Sequence, residues 1–188
     1  MSDGQFGLVV GIFTLGGLLG ALSAGPLSTH KGRLLPMRLA TVFFILGPLL
    51  ESLAPSIWLM AVGRFLAGVG AGASLVVVPI FTSEIAPPAT KGLFGASTQI
   101  MINVGIVMAQ VLGYFLSHGN MWRVVLAVAG IVAVVQCGGL FLVPESPDWL
   151  AAKGKLGIAK KSLSRIRGGA NIDDEIADWG TAEEGEGM

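Results

Sequence analysis

The sequence predicts an all-α membrane bundle on three observations: a charge-poor apolar composition, five long apolar runs, and basic residues gathered on one side of those runs. Of 188 residues, 53% are hydrophobic and 13% charged, against about a quarter charged in a soluble domain. A helix crossing the hydrocarbon core needs about 20 apolar residues. The runs at about 6–28, 34–53, 57–81, 93–116 and 124–143 each reach that length. Unpaired backbone groups are so costly in lipid that only helices or closed barrels span it. Barrel strands would alternate apolar and polar residues over about ten positions, whereas Leu75-Val76-Val77-Val78 runs without alternation.

Orientation follows from the positive-inside bias. Lys31, Arg33 and Arg38 surround the first connection, Lys91 lies in the third, and Lys153, Lys155, Lys160, Lys161, Arg165 and Arg167 follow the last span. Only Arg64 and Arg123 fall toward the other face. The expected topology ends in the cytoplasm and begins outside. Residues 1–5 carry only the acidic Asp3 and no basic signal-peptide start, so a preceding span is expected to be missing.

The expected division is a transmembrane bundle over 1–143, a cytoplasmic helical linker over 144–179 and a flexible acidic tail over 180–188. In the linker, Ala151, Leu156, Ala159, Leu163 and Ile166 recur at roughly helical spacing, which predicts one polar helical segment over 148–168.

Several function classes drop out. The formal net charge is zero, so no global basic field attracts nucleic acid. Cys137 has no partner for a disulfide or a thiolate metal site. His30 and His118 are expected in loops on opposite sides, unable to share a metal, and Ser74, Ser97 and Thr98 lack a neighbouring base. No enzymatic activity, cofactor or metal is therefore expected. Pore-lining charges and a filter motif, the marks of an ion channel, are missing as well.

Polar residues inside the runs are the informative ones. Gln99, Asn103 and Gln110 stand at i, i+4 and i+11, within about 40° of arc on one helix face. Amides facing lipid are expensive, so this face should meet protein or a water-filled cavity. Neutral amides donate and accept hydrogen bonds, which suits a polyhydroxylated neutral ligand; hydrogen bonding between helices accounts for them equally well. Glycines at 7, 11, 16 and 20 and at 68 and 72 predict close helix packing. Arg33, Glu84 and Lys91 are placed to form ion pairs at the basic end. Glu51 is expected to reach the interface at the other end.

Four motifs occur in order. Gly25-Pro26-Leu27-Ser28-Thr29-His30-Lys31-Gly32-Arg33 resembles the major-facilitator loop motif. Gly63-Arg64 with Gly68, Gly70 and Gly72, then Pro79 with Glu84, Ala86 and Pro87, is similar to the sugar-porter signature. Pro144-Glu145-Ser146-Pro147 resembles that family's P-E-S-P-R, and Lys153-Gly154 with Leu163 to Gly168 resembles its linker. The resemblance is to sugar porters of the major facilitator superfamily. It implies that the five spans correspond to that family's helices two to six, with its first helix and C-terminal half absent.

The same resemblance implies that Gln99 hydrogen-bonds sugar, with Gly105 and Ala109-Gln110 completing the pattern, and that Arg33, Arg64, Glu84, Lys91 and Glu145 belong to a gating network. Thr29, Leu34, Lys91 and Asp148 depart from the motifs and imply a weaker network of ion pairs. The implied function is transport of a hexose or related polyol by alternating access, in the plasma membrane or an organelle membrane. The implied partners are the sugar, the bilayer and a missing C-terminal half or second chain. The alternative is a truncated, non-transporting fragment or an assembly partner of a complete transporter.

Overall fold

Among the described residues, five helices are long and apolar enough to cross a membrane, and they carry most of the chain. In the computed structural model, which describes residues 3–116, 121–173, 175, 176 and 179, these are α1 (Asp3–Lys31), α2 (Leu34–Ser52), α3 (Ile57–Ile85), α4 (Lys91–Leu116) and α5 (Trp122–Leu142). A 3₁₀ turn at Pro88–Thr90 leads into α4, and two short helices, α6 (Pro147–Ala152) and α7 (Leu156–Ile166), follow α5. The expectations for His118 and for the tail at 180–188 lie outside the described residues.

Helix ends follow local chemistry. The Ser56 hydroxyl accepts the Leu59 N–H at 3.4 Å and caps α3. At the other end of α3, Ala86 is extended because Pro87 disfavours helical backbone in the residue before it. Val143, before Pro144, ends α5 in the same way. Ser146 caps α6 by accepting the Trp149 N–H at 3.2 Å, and Pro147 takes its first position. Two expectations are corrected. The helix that begins the chain runs to Lys31, so His30 lies in its last turn and not in a loop. The single helical segment expected over 148–168 is broken at Gly154, whose φ of +71° is left-handed, leaving α6 and α7 as separate helices.

The bundle is zipped along α1 and α3. A Cβ at Gly16 would strike the Phe65 carbonyl, one at Gly20 the Val69 carbonyl, one at Gly68 the Phe13 carbonyl and one at Gly72 the Gly17 backbone. Only glycine lets these backbones touch, and lipid supplies no hydrophobic drive to replace that contact. Gly7 and Gly11, expected to belong to the same face, meet nothing within 4 Å. Beside this seam, Ala24, Ala40, Ala73 and Val77 form a small-residue core. Leu34, Phe81 and Leu140 form a second one that brings in α5.

By contrast, α4 has no buried residue. It rests against α3 and α5 and leaves one side open. The large apolar side chains exposed on α1, α4 and α5, among them Leu22, Tyr114 and Val135, suit hydrocarbon and would be costly against water.

Candidate functional site

Three polar groups stand out from the apolar bundle, and the folded chain puts each in a different setting. The first lies at the basic end, where α1, α3 and α5 finish and α2 begins. Gly32, with φ of +98°, turns the chain sharply into α2. A Cβ there would collide with the Glu145 carboxylate. That carboxylate accepts the backbone N–H of Arg33 at 2.9 Å, of Leu34 at 3.2 Å and of Ser146 at 3.0 Å. It therefore caps α2 from a distant part of the chain, where the helix dipole favours an anion.

The Arg33 side chain meets a different acid. Its Nη2 lies 2.7 Å from Glu84, its Nε also donates to that carboxylate, and its Nη1 donates to the Ser28 carbonyl and hydroxyl at 2.9 and 3.0 Å. The Glu84 hydrogen bonds, opposed by burial, hold the Arg33 guanidinium above its usual range. Lys91 is exposed and forms no ion pair among the described residues, so Glu84 is taken by Arg33 alone. Arg33, Glu84 and Glu145 are thus brought together, and Lys91 stands apart from them.

Residues to which the sequence assigned no role in the site complete this end. Trp149 Nε1 donates to the Thr29 carbonyl at 2.9 Å, Ser162 Oγ to the Glu145 carbonyl at 2.6 Å and Arg167 Nη1 to the Ile85 carbonyl at 2.8 Å. Arg167 also pairs with Glu175 at 2.6 Å. Hydrogen bonding to Arg167 lowers the Glu175 carboxyl, while burial, reinforced by Glu84, raises that of Asp148. The segment after α5 is consequently a clasp fastened to the ends of α1, α2 and α3. Backbone carbonyls as partners leave no trace in the sequence, so this clasp could not be found by pattern.

The second group lies at the opposite end, between α2 and α3. Glu51 is 2% exposed, and its carboxylate lies 3.2 Å from Arg64 Nε. It does not reach the interface as expected. Gly47 and Gly63 bring the two helices close, and a Cβ on Gly63 would strike the Glu51 side chain. The buried Nε–H of Arg64 makes no hydrogen bond, so the attraction is ionic and imperfectly aimed. Arg64 is therefore separated by the length of the bundle from the Arg33 group. An acid within an apolar span was the available signal, since such a charge needs a partner.

The third group is the amide stripe. Gln99, Asn103 and Gln110 are all exposed, and none makes a side-chain hydrogen bond among the described residues. The less exposed positions of α4 are Ser97, Thr98, Ile102, Leu112, Gly113 and Leu116, a face about 130° round the helix from the stripe. The amides point away from α3 and α5. Asn103 edges a shallow depression of about 320 Å³, lined otherwise by Ile100, Val104, Val107 and Met108.

Comparison with known proteins places this geometry. Residues 2–186 match the family described as sugar (and other) transporters. The chain is 38% identical over 177 residues to the facilitated glucose transporter member 2 of Gallus gallus, covering 91% of this chain and 33% of that protein. It is 35% identical over 173 residues to the sugar transport protein MST8 of Oryza sativa subsp. japonica, covering 90% of this chain and 34% of that one. In fold it is similar to the xylose transporter XylE from E. coli in a partially occluded inward-open conformation. There the TM-score is 0.86 at 22% identity, over 97% of this chain and 49% of that one. The chain spans about a third of the length of these curated relatives and about half of the solved transporter. With a family match over nearly its whole length and five apolar helices in the major-facilitator arrangement, the chain is a multi-pass membrane protein that belongs to the sugar transporter family.

Proposed function

We propose that this chain forms most of one half of a carrier for a hexose or related polyol, working by alternating access. The observation that carries the reading is the amide stripe. Three amides without hydrogen-bond partners among the described residues lie on one uncovered face of a largely apolar span. Facing hydrocarbon they would be costly; facing a wet cavity closed by a second bundle they meet sugar hydroxyls with donors and acceptors. Gln99 is the principal sugar contact, with Asn103 and Gln110 along the same stripe. The relatives' names, which include glucose, sugar and polyol transporters, support the substrate class.

Arg33, Glu84 and Glu145 act as a latch, with Lys91 standing apart from them in this conformation. Their ion pairs and the Glu145 cap hold the basic ends of α1, α2, α3 and the linker together in one conformation, and loosening them accompanies rocking against the other half. Arg64, held by Glu51, fastens the opposite end of α2 to α3. The basic residues at this end support a cytoplasmic position for the latch, the linker at 144–179 and the C-terminus. The membrane is the plasma membrane or that of an organelle.

A second reading is favoured by α4, which lacks a single buried residue: the chain by itself transports nothing and needs another polypeptide to cover that face. Hexose uptake into proteoliposomes tests both. The chain alone is expected to show no saturable uptake. Joined to the second bundle of a related transporter it is expected to transport, with uptake about tenfold lower in Gln99→Ala, the loss expected for one sugar hydrogen bond. Saturable uptake by the chain alone would refute the second reading. Unchanged uptake in the joined Gln99→Ala protein would remove Gln99 from the site.

A further inference from the structure

The end of α5 gathers positive charge that the latch does not use. Because α5 stops at Val143 in extended backbone, the carbonyls of its last turn have no helical donors. Two arginines from different elements reach them. Arg38, one turn into α2, donates from Nη2 to the Leu140 carbonyl at 3.3 Å and stacks its guanidinium 4.8 Å above the Phe141 ring. Arg165, on α7, donates from Nη2 to the Leu142 carbonyl at 3.2 Å.

Neither arginine has a carboxylate partner among the described residues, and this is unlike Arg33 and Arg167, each of which holds a glutamate. One carbonyl does not use up a guanidinium's donors; the Nε of Arg38 is buried, so the terminal nitrogens are the donors left to a headgroup. Lys161 stands one turn before Arg165 on the same side of α7 and is exposed. A purely structural role, capping α5 against its dipole, would be served by one cation; here there are two, plus a lysine, with no carboxylate paired to them among the described residues.

The surroundings narrow the kind of anion that suits these arginines. Leu142 is the last residue of a membrane-spanning helix, so the arginines stand at the level where hydrocarbon meets headgroups. Phe141 and Leu142 are 67% and 73% exposed at that level, and Ile158 on the facing flank of α7 is 58% exposed. A soluble anion would find charge there beside bare apolar side chains. An anionic phospholipid satisfies both, with its phosphodiester accepting from the guanidiniums in bidentate fashion and its acyl chains covering Phe141 and Leu142.

We propose that Arg38 and Arg165 form a binding site for the phosphodiester headgroup of an anionic phospholipid, drawn from the leaflet that borders the basic end of the bundle. Lys161 adds attraction without direct geometry. The bound lipid pins α7 to the ends of α2 and α5, so the clasp is firmest in membranes rich in anionic lipid. This site is independent of the sugar reading and of the amide stripe.

The test is thermal stabilisation of the full 188-residue chain in detergent micelles, titrated with phosphatidylglycerol or with phosphatidylcholine of the same acyl chains. The wild type is expected to respond at much lower phosphatidylglycerol than phosphatidylcholine. Each arginine near an anionic surface is worth about fivefold and the two together about thirtyfold. The Arg38→Gln/Arg165→Gln chain should therefore need about thirtyfold more phosphatidylglycerol for half-maximal effect, and Arg38→Lys/Arg165→Lys should fall between it and the wild type, keeping the charge but losing the bidentate geometry. Should the double glutamine chain fail to fold, the exposed Arg165→Gln alone carries the test with an expected fivefold shift. Equal response to the two lipids, an unshifted titration in Arg165→Gln, or full stabilisation by inorganic phosphate alone would overturn the proposal. So would a preference for phosphatidylglycerol that emerges only when the acidic residues 180–188 are deleted, since those residues would then be the occupant.

Discussion

The α1–α3 seam and helix α4 are built from similar residues and behave as opposites. Both carry glycines and a few polar side chains in apolar spans. Along the seam, glycines press backbone against backbone, and a single added carbon has nowhere to go. On α4, Gly95, Gly105 and Gly113 meet nothing within 4 Å, and the amides have no hydrogen-bond partner among the described residues. The difference teaches that the chain separates the surface that holds it together from the surface it offers to something else. Glycine content alone does not distinguish them; what distinguishes them is which helix stands opposite.

Substitutions can break or sharpen that contrast. The largest effect is expected from Gly72→Leu, which drives a side chain into the Gly17 backbone and should cost about 3 kcal/mol or more. It would be read as loss of the thermal transition in detergent. Gly105→Leu on α4 is the matched control and should stay within about 0.5 kcal/mol. Equal losses at the two positions would erase the distinction.

Next in size is Glu145→Ala, which removes the anion that caps α2 and anchors the linker. A loss of about 2 kcal/mol is expected, with faster amide exchange at Arg33, Leu34 and Ser146. Exchange unchanged at these amides would show that α2 is capped otherwise. Gln99→Ala sharpens the contrast from the α4 side. It should leave stability within about 0.5 kcal/mol while weakening sugar handling in the joined transporter.

The smallest effect concerns pH at the clasp. Glu175 is held below its usual range by Arg167, so its contribution is present above the ordinary carboxylate range and is lost as pH falls through the lowered value. Glu175→Gln should cost about 1 kcal/mol at neutral pH and nothing at strongly acid pH. Asp148 runs the other way. Its carboxyl is raised by burial, so its charged form weakens the clasp at neutral pH and protonation relieves that cost. Asp148→Asn should therefore stabilise slightly at neutral pH and flatten the dependence. Amide exchange of α6 and α7 across pH reads both variants.

Much of the helix layout could be read in advance because it depends on local quantities. Span length follows from bilayer thickness, and ends follow from Ser56, Pro87, Pro144 and Ser146. The break at Gly154 escaped because helical spacing continues across it; only the left-handed backbone there separates α6 from α7. Glu51 escaped for a different reason. Its position near a span end suggests exposure, and only the close approach of Gly47 to Gly63 buries it against Arg64.

By itself, then, the sequence determined the class of fold, the number of apolar helices and the alignment of Gln99, Asn103 and Gln110, since hydropathy and helical pitch are properties of neighbours along one chain. Tertiary structure alone decided that Glu145 caps α2, that Arg33 takes Glu84 and leaves Lys91 without an ion pair among the described residues, and that the amides face away from α3 and α5. Those outcomes depend on which carbonyls, carboxylates and bare glycine backbones meet across separations such as 51 and 112 residues, and an ion pair or a cap forms only where packing brings its two halves within hydrogen-bond reach.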